Sequence, residues 1–399
     1  MPTTNHTLVN RIISTAMIVA SVAFMPLAHA NSAEIAPPPS LAVKAYLLKD
    51  FNSGRIIASQ NSNMRIEPAS LTKIMTAYLS FKALKNGHLQ LENTLPVSEY
   101  AWKIEGSKMF IEPQKQTCDV QKEKCLPTVD ELLHGMIIQS GNDASIALAE
   151  GIASSEVQFA EMMNKEAQRL GMKNTHYMNA TGLPDPHHFT TAEDLSILAT
   201  ALIRDFPDQY KRLYSVKEYT YNKITQPNRN RLLWLDPNVD GMKTGHTESA
   251  GYCLISSAKR DGIRRISVVL GAPNDAARAT ESQKLLNYGF QFFDSSLVYK
   301  QDQKISQLKV WKGSENQVAS TVANDLFITL PKGEYANVKA IVSSTQPLIA
   351  PVKKGQVVGS IKFTLNGKTI DERQLIAANA IEVAGIFGRA WDSIKLLLN

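Results

Sequence analysis

Three short elements, separated by long stretches of chain, constrain this sequence more than anything else in it. Ser70-Leu71-Thr72-Lys73 sets a hydroxyl and an amine three residues apart, on one face if the segment is helical. Ser140-Gly141-Asn142 begins 70 residues after Ser70, behind the apolar helical stripe Leu132-Leu133-Met136-Ile137. Lys243-Thr244-Gly245 lies 101 residues after Asn142, where the pattern turns to strands, and is the only Lys-Thr-Gly in the chain. A serine hydroxyl is inert until a base takes its proton, and a lysine can do so only if burial or nearby positive charge lowers its pKa. The Ser-x-x-Lys spacing alone says little, since Ser256/Lys259 and Ser306/Lys309 match it too. Taken together, the three elements ask for a fold that brings a helix start, a loop after a helix and a strand edge to one point.

The rest of the chain can supply such a fold. Its 399 residues suggest two or three domains, and 44% apolar with 20% charged residues is globular composition, which excludes a disordered, collagenous or polytopic membrane protein. Ala45–Leu48 and Arg55–Ala58, around Asp50-Phe51-Asn52-Ser53-Gly54, read as a hairpin. Residues 67–170 are mostly helical in pattern, and Thr191-Ala192-Glu193-Asp194 resembles a capping box opening a helix through Ile203. Tyr252–Ile255 and Ile266–Leu270, around the turn Arg260-Asp261-Gly262, read as strands, and a helix follows from about Asp275 to Phe293. This predicts an α+β catalytic domain over 37–292, with helices around an antiparallel sheet. Over 293–382, short alternating segments predict a small all-β domain, with the hairpin Ile361–Leu365, Asn366-Gly367, Lys368–Ile370 as its clearest signal.

The ends carry the address. Arg11 is the only charge in the first 30 residues, the run Ile12–Leu27 is apolar, and Ala28-His29-Ala30 offers a small-x-small cleavage site. Residues 1–30 are therefore expected to be a signal peptide, leaving the chain in a compartment that permits disulfides. At the other end, residues 383–399 place Phe387, Ala390, Trp391, Ile394, Leu397 and Leu398 on one helical face. Such a helix is too short to span a bilayer. The pattern fits equally an amphipathic helix lying in the membrane interface and a helix docked on its own protein. Net charge is +6, with no Lys/Arg block and no zinc-finger spacing, so nucleic acid is a poor partner. The pair His187-His188 has no third ligand nearby, and neither a metal nor a cofactor is expected.

The ordered set of motifs is the penicilloyl-serine signature. The chain resembles the low-molecular-mass penicillin-binding proteins, and within them the membrane-anchored, serine-type D-alanyl-D-alanine carboxypeptidases of the penicillin-binding protein 5 and 6 group. The matching stretches are Pro68–Lys73, Gln139–Ala144, Val239–Thr247 and Ala250–Tyr252. The resemblance covers nearly the whole chain after the leader, and implies a penicilloyl-serine transferase/β-lactamase-like domain followed by the β domain. It implies removal of the terminal D-Ala from peptidoglycan stem peptides through an acyl-enzyme on Ser70, and acylation by β-lactam antibiotics. Lys73 would be the general base and Ser140 a proton relay, with Lys243 keeping the site positive. Asn142 would hold the substrate's penultimate amide, and Thr244 and Arg278 its terminal carboxylate. The N–H groups of Ser70 and His246 would form the oxyanion hole, beside Gly245. Arg229 would lie near the site or be structural. The resemblance also favours the interfacial reading of the tail helix, and so a periplasmic enzyme anchored peripherally to the inner membrane.

The sequence departs from that pattern at residues 113–127, which look longer than the usual tight turn. Cys118 and Cys125 enclose six residues there. In an oxidising compartment they are expected to pair, the alternative being two free surface thiols. Cys253, inside a strand, is expected to be a buried thiol. Three rival activities share the fold: a D,D-endopeptidase, a class A-like β-lactamase and a non-catalytic wall scaffold. Gly141 between Ser140 and Asn142, and the lack of a clear deacylating Glu in the loop from Asn179 to Glu193, argue against the β-lactamase.

Overall fold

The chain enters its first sheet through the hairpin read in the sequence, β1 (Ala45–Asp50) and β2 (Ile56–Gln60). This is a computed structural model, and it describes residues 36–112 and 126–397; the leader 1–30 and the pair Cys118/Cys125 lie outside the described residues. The helical stretch follows: α1 (Lys73–Lys85), α2 (Glu99–Lys103), α3 (Val129–Ile138), α4 (Asn142–Ala153), α5 (Glu156–Leu170), α6 (Ala192–Asp205) and α7 (Pro207–Leu213). A ribbon of β3 (Glu218–Tyr221) and β4 (Ile224–Pro227) and the single turn α8 (Leu232–Leu235) lead to the meander β5 (Val239–Thr247), β6 (Gly251–Arg260) and β7 (Ile263–Ala272). Helix α9 (Asp275–Phe292) closes this part.

The five long strands form one antiparallel sheet in the order β2-β1-β7-β6-β5. Side chains alternate between its faces. Leu47, Ile255 and Val268 join the large core made with α1, α3, α4 and α6. Leu48, Leu254 and Val269 meet Leu285 and Leu286 of α9 on the other face. Asp50 and Arg265 stand opposite one another in the β1/β7 register and form a fully buried ion pair.

Two helix starts show how local chemistry positions the elements. Thr128 and Glu131 make both halves of a capping box at α3. At α6 only half of the expected box exists. Thr191 accepts from the N–H of Asp194, but the Asp194 carboxylate turns away to accept from Asn174 N and Thr175 Oγ1, both at 2.7 Å.

The chain divides into two compact units, Pro37–Phe293 and one containing Asp294–Asn399. The second is built from β8 (Phe293–Tyr299), β9 (Ser306–Lys309), β10 (Gln317–Thr321), β11 (Leu326–Pro331), β12 (Val338–Ser344), β13 (Val357–Leu365) and β14 (Lys368–Ala377). Five strands pair in the order β12-β13-β14-β10-β9, while β8 pairs with β11. The turn joining β13 to β14 puts Asn366 at φ 50° and Gly367 at φ 78°, the left-handed pair that a tight hairpin of this twist needs. Helix α10 (Ile386–Leu397) follows, with no buried residue; Phe387 is 93% exposed and Trp391 60%. Asp392 nevertheless ties it to this unit, accepting from Lys312 N at 2.6 Å. No helix among the described residues is long and apolar enough to cross a membrane.

Candidate active site

A single 3-10 turn, Ala69–Thr72, hands the chain to α1, so Ser70 sits at the mouth of the helix and Lys73 is its first residue. Lys73 is 1% exposed. Its Nζ donates to Ser70 Oγ at 3.0 Å, Asn142 Oδ1 at 2.8 Å and the Thr181 carbonyl at 2.6 Å, which accounts for all three ammonium protons. Burial, with the charge of Arg229, lowers its pKa to about 7, against a smaller pull from Asp143 and Glu156. A lysine lowered to about 7 is in the range that suits proton transfer near neutral pH.

Ser140 ends the loop after α3 in the left-handed region, at φ 63°, a conformation that costs a non-glycine residue free energy and is retained chiefly at functional sites. Its Oγ accepts from Lys243 Nζ at 2.9 Å. Lys243, on β5, is buried and also donates to the Thr244 carbonyl. Burial first, then the positive charges of Lys73, Arg229 and Arg278, push its pKa well below the ordinary lysine range.

Asn142 opens α4 with both ends of its amide engaged by the protein: Oδ1 holds Lys73, and Nδ2 donates to the Glu105 carbonyl at 2.6 Å. Its amide oxygen orients Lys73. Asp143 beside it accepts from Met109 N and Ile111 N, fixing the neighbouring loop.

Thr244 is buried and His246 exposed, the His246 ring lying 4.0 Å from that of Tyr252. A Cβ at Gly245 would press on Pro68 O at 3.1 Å and Leu71 N at 3.2 Å, so a larger residue there would need β5 or the Ser70 turn to give by a few tenths of an ångström. Arg278, in the first turns of α9, reaches back to the Gly245 carbonyl at 3.3 Å and pairs with Asp275.

The structure thus brings Ser70, Lys73, Ser140, Asn142, Lys243, Thr244, Gly245 and Arg278 to one place. It adds groups that sequence reasoning missed. The Thr181 carbonyl is held by neighbouring ties to the α1 segment, Thr76 Oγ1 to Ala180 O at 2.7 Å and His188 Nε2 to Thr72 Oγ1 at 3.0 Å. A side chain at Gly182, φ 85°, would collide with the Ala69 carbonyl. A backbone carbonyl such as that of Thr181 has no residue signature in the sequence.

Comparison with known proteins decides the family. The peptidase S11 model, D-alanyl-D-alanine carboxypeptidase, matches residues 31–274, and penicillin-binding protein 5, C-terminal domain, matches residues 293–383. The chain belongs to the S11 family of D-alanyl-D-alanine carboxypeptidases. The carboxypeptidase DacC of Escherichia coli (strain K12) is 43% identical over 381 residues, 94% of this chain and 92% of that one. The crystal structure of penicillin binding protein 5 from Haemophilus influenzae matches with a TM-score of 0.81 at 41% identity, covering 87% of this chain and 99% of that one. Penicillin-binding protein D2 from Listeria monocytogenes, in its ampicillin-bound form, matches at TM-score 0.56 and 29% identity over 64% of this chain and 99% of that one. This carboxypeptidase is a serine hydrolase with a penicilloyl-serine transferase-like domain and a C-terminal all-β domain.

Proposed function

We propose that the carboxypeptidase removes the terminal D-Ala of peptidoglycan stem peptides through an acyl-enzyme on Ser70. The observation that carries this reading is the contact of a buried lysine of lowered pKa with a half-buried serine. Neutral Lys73 keeps two N–H bonds for Asn142 and Thr181 and turns its lone pair to Ser70, whose proton it takes. Ser70 Oγ attacks the penultimate carbonyl carbon, and the developing oxyanion is held by the N–H groups of Ser70 and His246. Ser140 gives its proton to the departing D-Ala nitrogen and recovers one from Lys73, which is then neutral again and able to activate water for deacylation. Lys243 donates to Ser140 throughout and so leaves that hydroxyl's hydrogen free for transfer. The substrate's terminal carboxylate is met by Thr244 and Arg278, in a region made positive by Lys243.

The Listeria relative's ampicillin-bound form supports acylation of Ser70 here by β-lactams, whose tethered leaving group stays in the site. The exposed apolar face of α10 supports peripheral attachment to the periplasmic face of the inner membrane, after loss of residues 1–30. Release of D-Ala from a diacetyl-Lys-D-Ala-D-Ala peptide, with Ser70→Ala as control, tests the reaction. Release that persists in Ser70→Ala overturns the assignment of the nucleophile. No release from wild-type enzyme that still takes up penicillin turns the reading to an endopeptidase. Co-sedimentation with anionic lipid vesicles, lost in Trp391→Asp, tests the anchor.

A further inference from the structure

Two N–H groups can share one oxyanion only if the gap between their chain segments is held. Those segments are the Ser70 turn and the end of β5, 176 residues apart in sequence. The lack of a side chain at Gly245 lets them come close, since a Cβ there would lie 3.1 Å from Pro68 O and 3.2 Å from Leu71 N. Packing alone does not stop them from parting.

Glu67, three residues before Ser70, spans the gap. Its Oε2 accepts from Thr247 Oγ1 at 3.0 Å and from Ser249 Oγ. Thr247 directly follows His246, and its Oγ1 also accepts from Ala250 N at 3.1 Å, so one hydroxyl closes the turn after β5 and bonds Glu67. Ser249 is anchored in turn by its carbonyl, which accepts from Lys44 Nζ at 2.7 Å. The other Glu67 oxygen, Oε1, is buried and has no partner among the described residues, so the side chain holds this pose at a cost. On the Ser70 side there is little slack: Pro68 has a restricted φ, and Ala69 is strained at φ 48°.

We infer that Glu67 is a positioning residue for acylation: its carboxylate latches the turn after β5 to the segment before Ser70 and so fixes the spacing of the two oxyanion-hole N–H groups. It does not touch the substrate. The inference rests on the assignment of Ser70 and His246 N–H as that hole. Charge-assisted bonds of this kind are strong enough to hold a gap that misplacement of about 1 Å would spoil by ~100-fold in rate.

Penicillin acylation, followed by stopped-flow over a concentration series, separates the rate at saturation from the dissociation constant of the preceding complex. Glu67→Ala should lower the saturating rate by ~100-fold and leave the dissociation constant nearly unchanged. Glu67→Gln, which keeps an acceptor oxygen, should recover most of the rate. The double variant Thr247→Val/Ser249→Ala should show the same loss, and combining it with Glu67→Ala should add nothing further. A folded Glu67→Ala protein with the wild-type saturating rate overturns the inference, as do losses that add. Should Glu67→Ala fail to fold, the Thr247/Ser249 variant decides alone. Absence of wild-type acylation at Ser70 would instead overturn the underlying site assignment, before any Glu67 variant is made.

Discussion

The two units of this chain bury different things. The unit Pro37–Phe293 buries Lys73, Lys243, Arg265 and Arg278, while the buried polar side chains of the C-terminal unit are Ser320, Thr321, Thr329 and Glu334. Within the first unit a second contrast matters more. Arg265 faces Asp50 directly and is a neutralised pair. Lys73 and Lys243 are held by neutral oxygens; burial first, then Arg229 at Lys73 and the charges of Lys73, Arg229 and Arg278 at Lys243, lower their affinity for protons. Burial with a counter-ion keeps a cation charged, whereas burial among neutral acceptors leaves an amine that sheds its proton more readily.

The most damaging way to test that contrast is to remove the base. Lys73→Met should lower penicillin acylation by ~10³-fold or more, because general base catalysis and the orientation of Ser70 are lost together. The pH dependence sharpens the same point. Acylation needs neutral Lys73, so its rate should climb with pH through about 7 and level off above. Stability should follow linkage with a definite sign. The folded pKa is about 7 and the unfolded one near 10.4, so between them the unfolded chain binds more protons and rising pH favours the folded state. Wild-type enzyme should therefore gain stability relative to Lys73→Met from pH 7 to pH 10, with a constant deficit below. Urea denaturation at pH 6, 8 and 10 checks this; a pH-independent difference would show that Lys73 is charged throughout.

The C-terminal unit should respond in the opposite way. Phe363 is buried with Ile328, Leu330 and Leu375 in a small apolar cluster. Phe363→Ala should cost about 3–5 kcal/mol in the unfolding of that unit, and leave acylation unchanged wherever the unit stays folded. Calorimetry paired with penicillin uptake at the same temperature is the measurement. A fall in uptake below the transition would break the division between a unit that reacts and a unit that only packs.

How far the sequence could be read follows the same division. Helix α9 and the strands β6 and β7 were visible because side-chain pattern alone specifies them. The Asn-Gly turn of β13 and β14 was visible because left-handed backbone demands those residues. The motif residues were visible because their chemistry is rare. The carbonyls of Thr181 and Glu105, which complete the shells around Lys73 and Asn142, carry no residue signature and were not visible. Nor was the strain at Ala69 and Ser140, since neither residue type favours positive φ. The motif names Asn142 but not the protein partners of its amide, Lys73 and the Glu105 carbonyl.

The smallest expected effect separates a cap that is only local from one that is tied to distant chain. At α3 the whole exchange between Thr128 and Glu131 stays within the first turn. Thr128→Ala should then cost about 1 kcal/mol of stability, the ordinary loss for a cap, with no change in acylation. At α6, Thr191→Ala should cost about the same, since among the described residues the hydroxyl bonds only the N–H of Asp194. Asp194→Ala should cost more than either. Its carboxylate is buried and accepts from Asn174 N and Thr175 Oγ1, so its loss leaves a partly buried backbone donor unpaired and frees the turn after α5. Equal losses for Asp194→Ala and Glu131→Ala in chemical denaturation would mean that the carboxylate of α6 acts as an ordinary capping partner. A larger loss for Asp194→Ala would show the helix start exchanging its own second capping bond for a tertiary one.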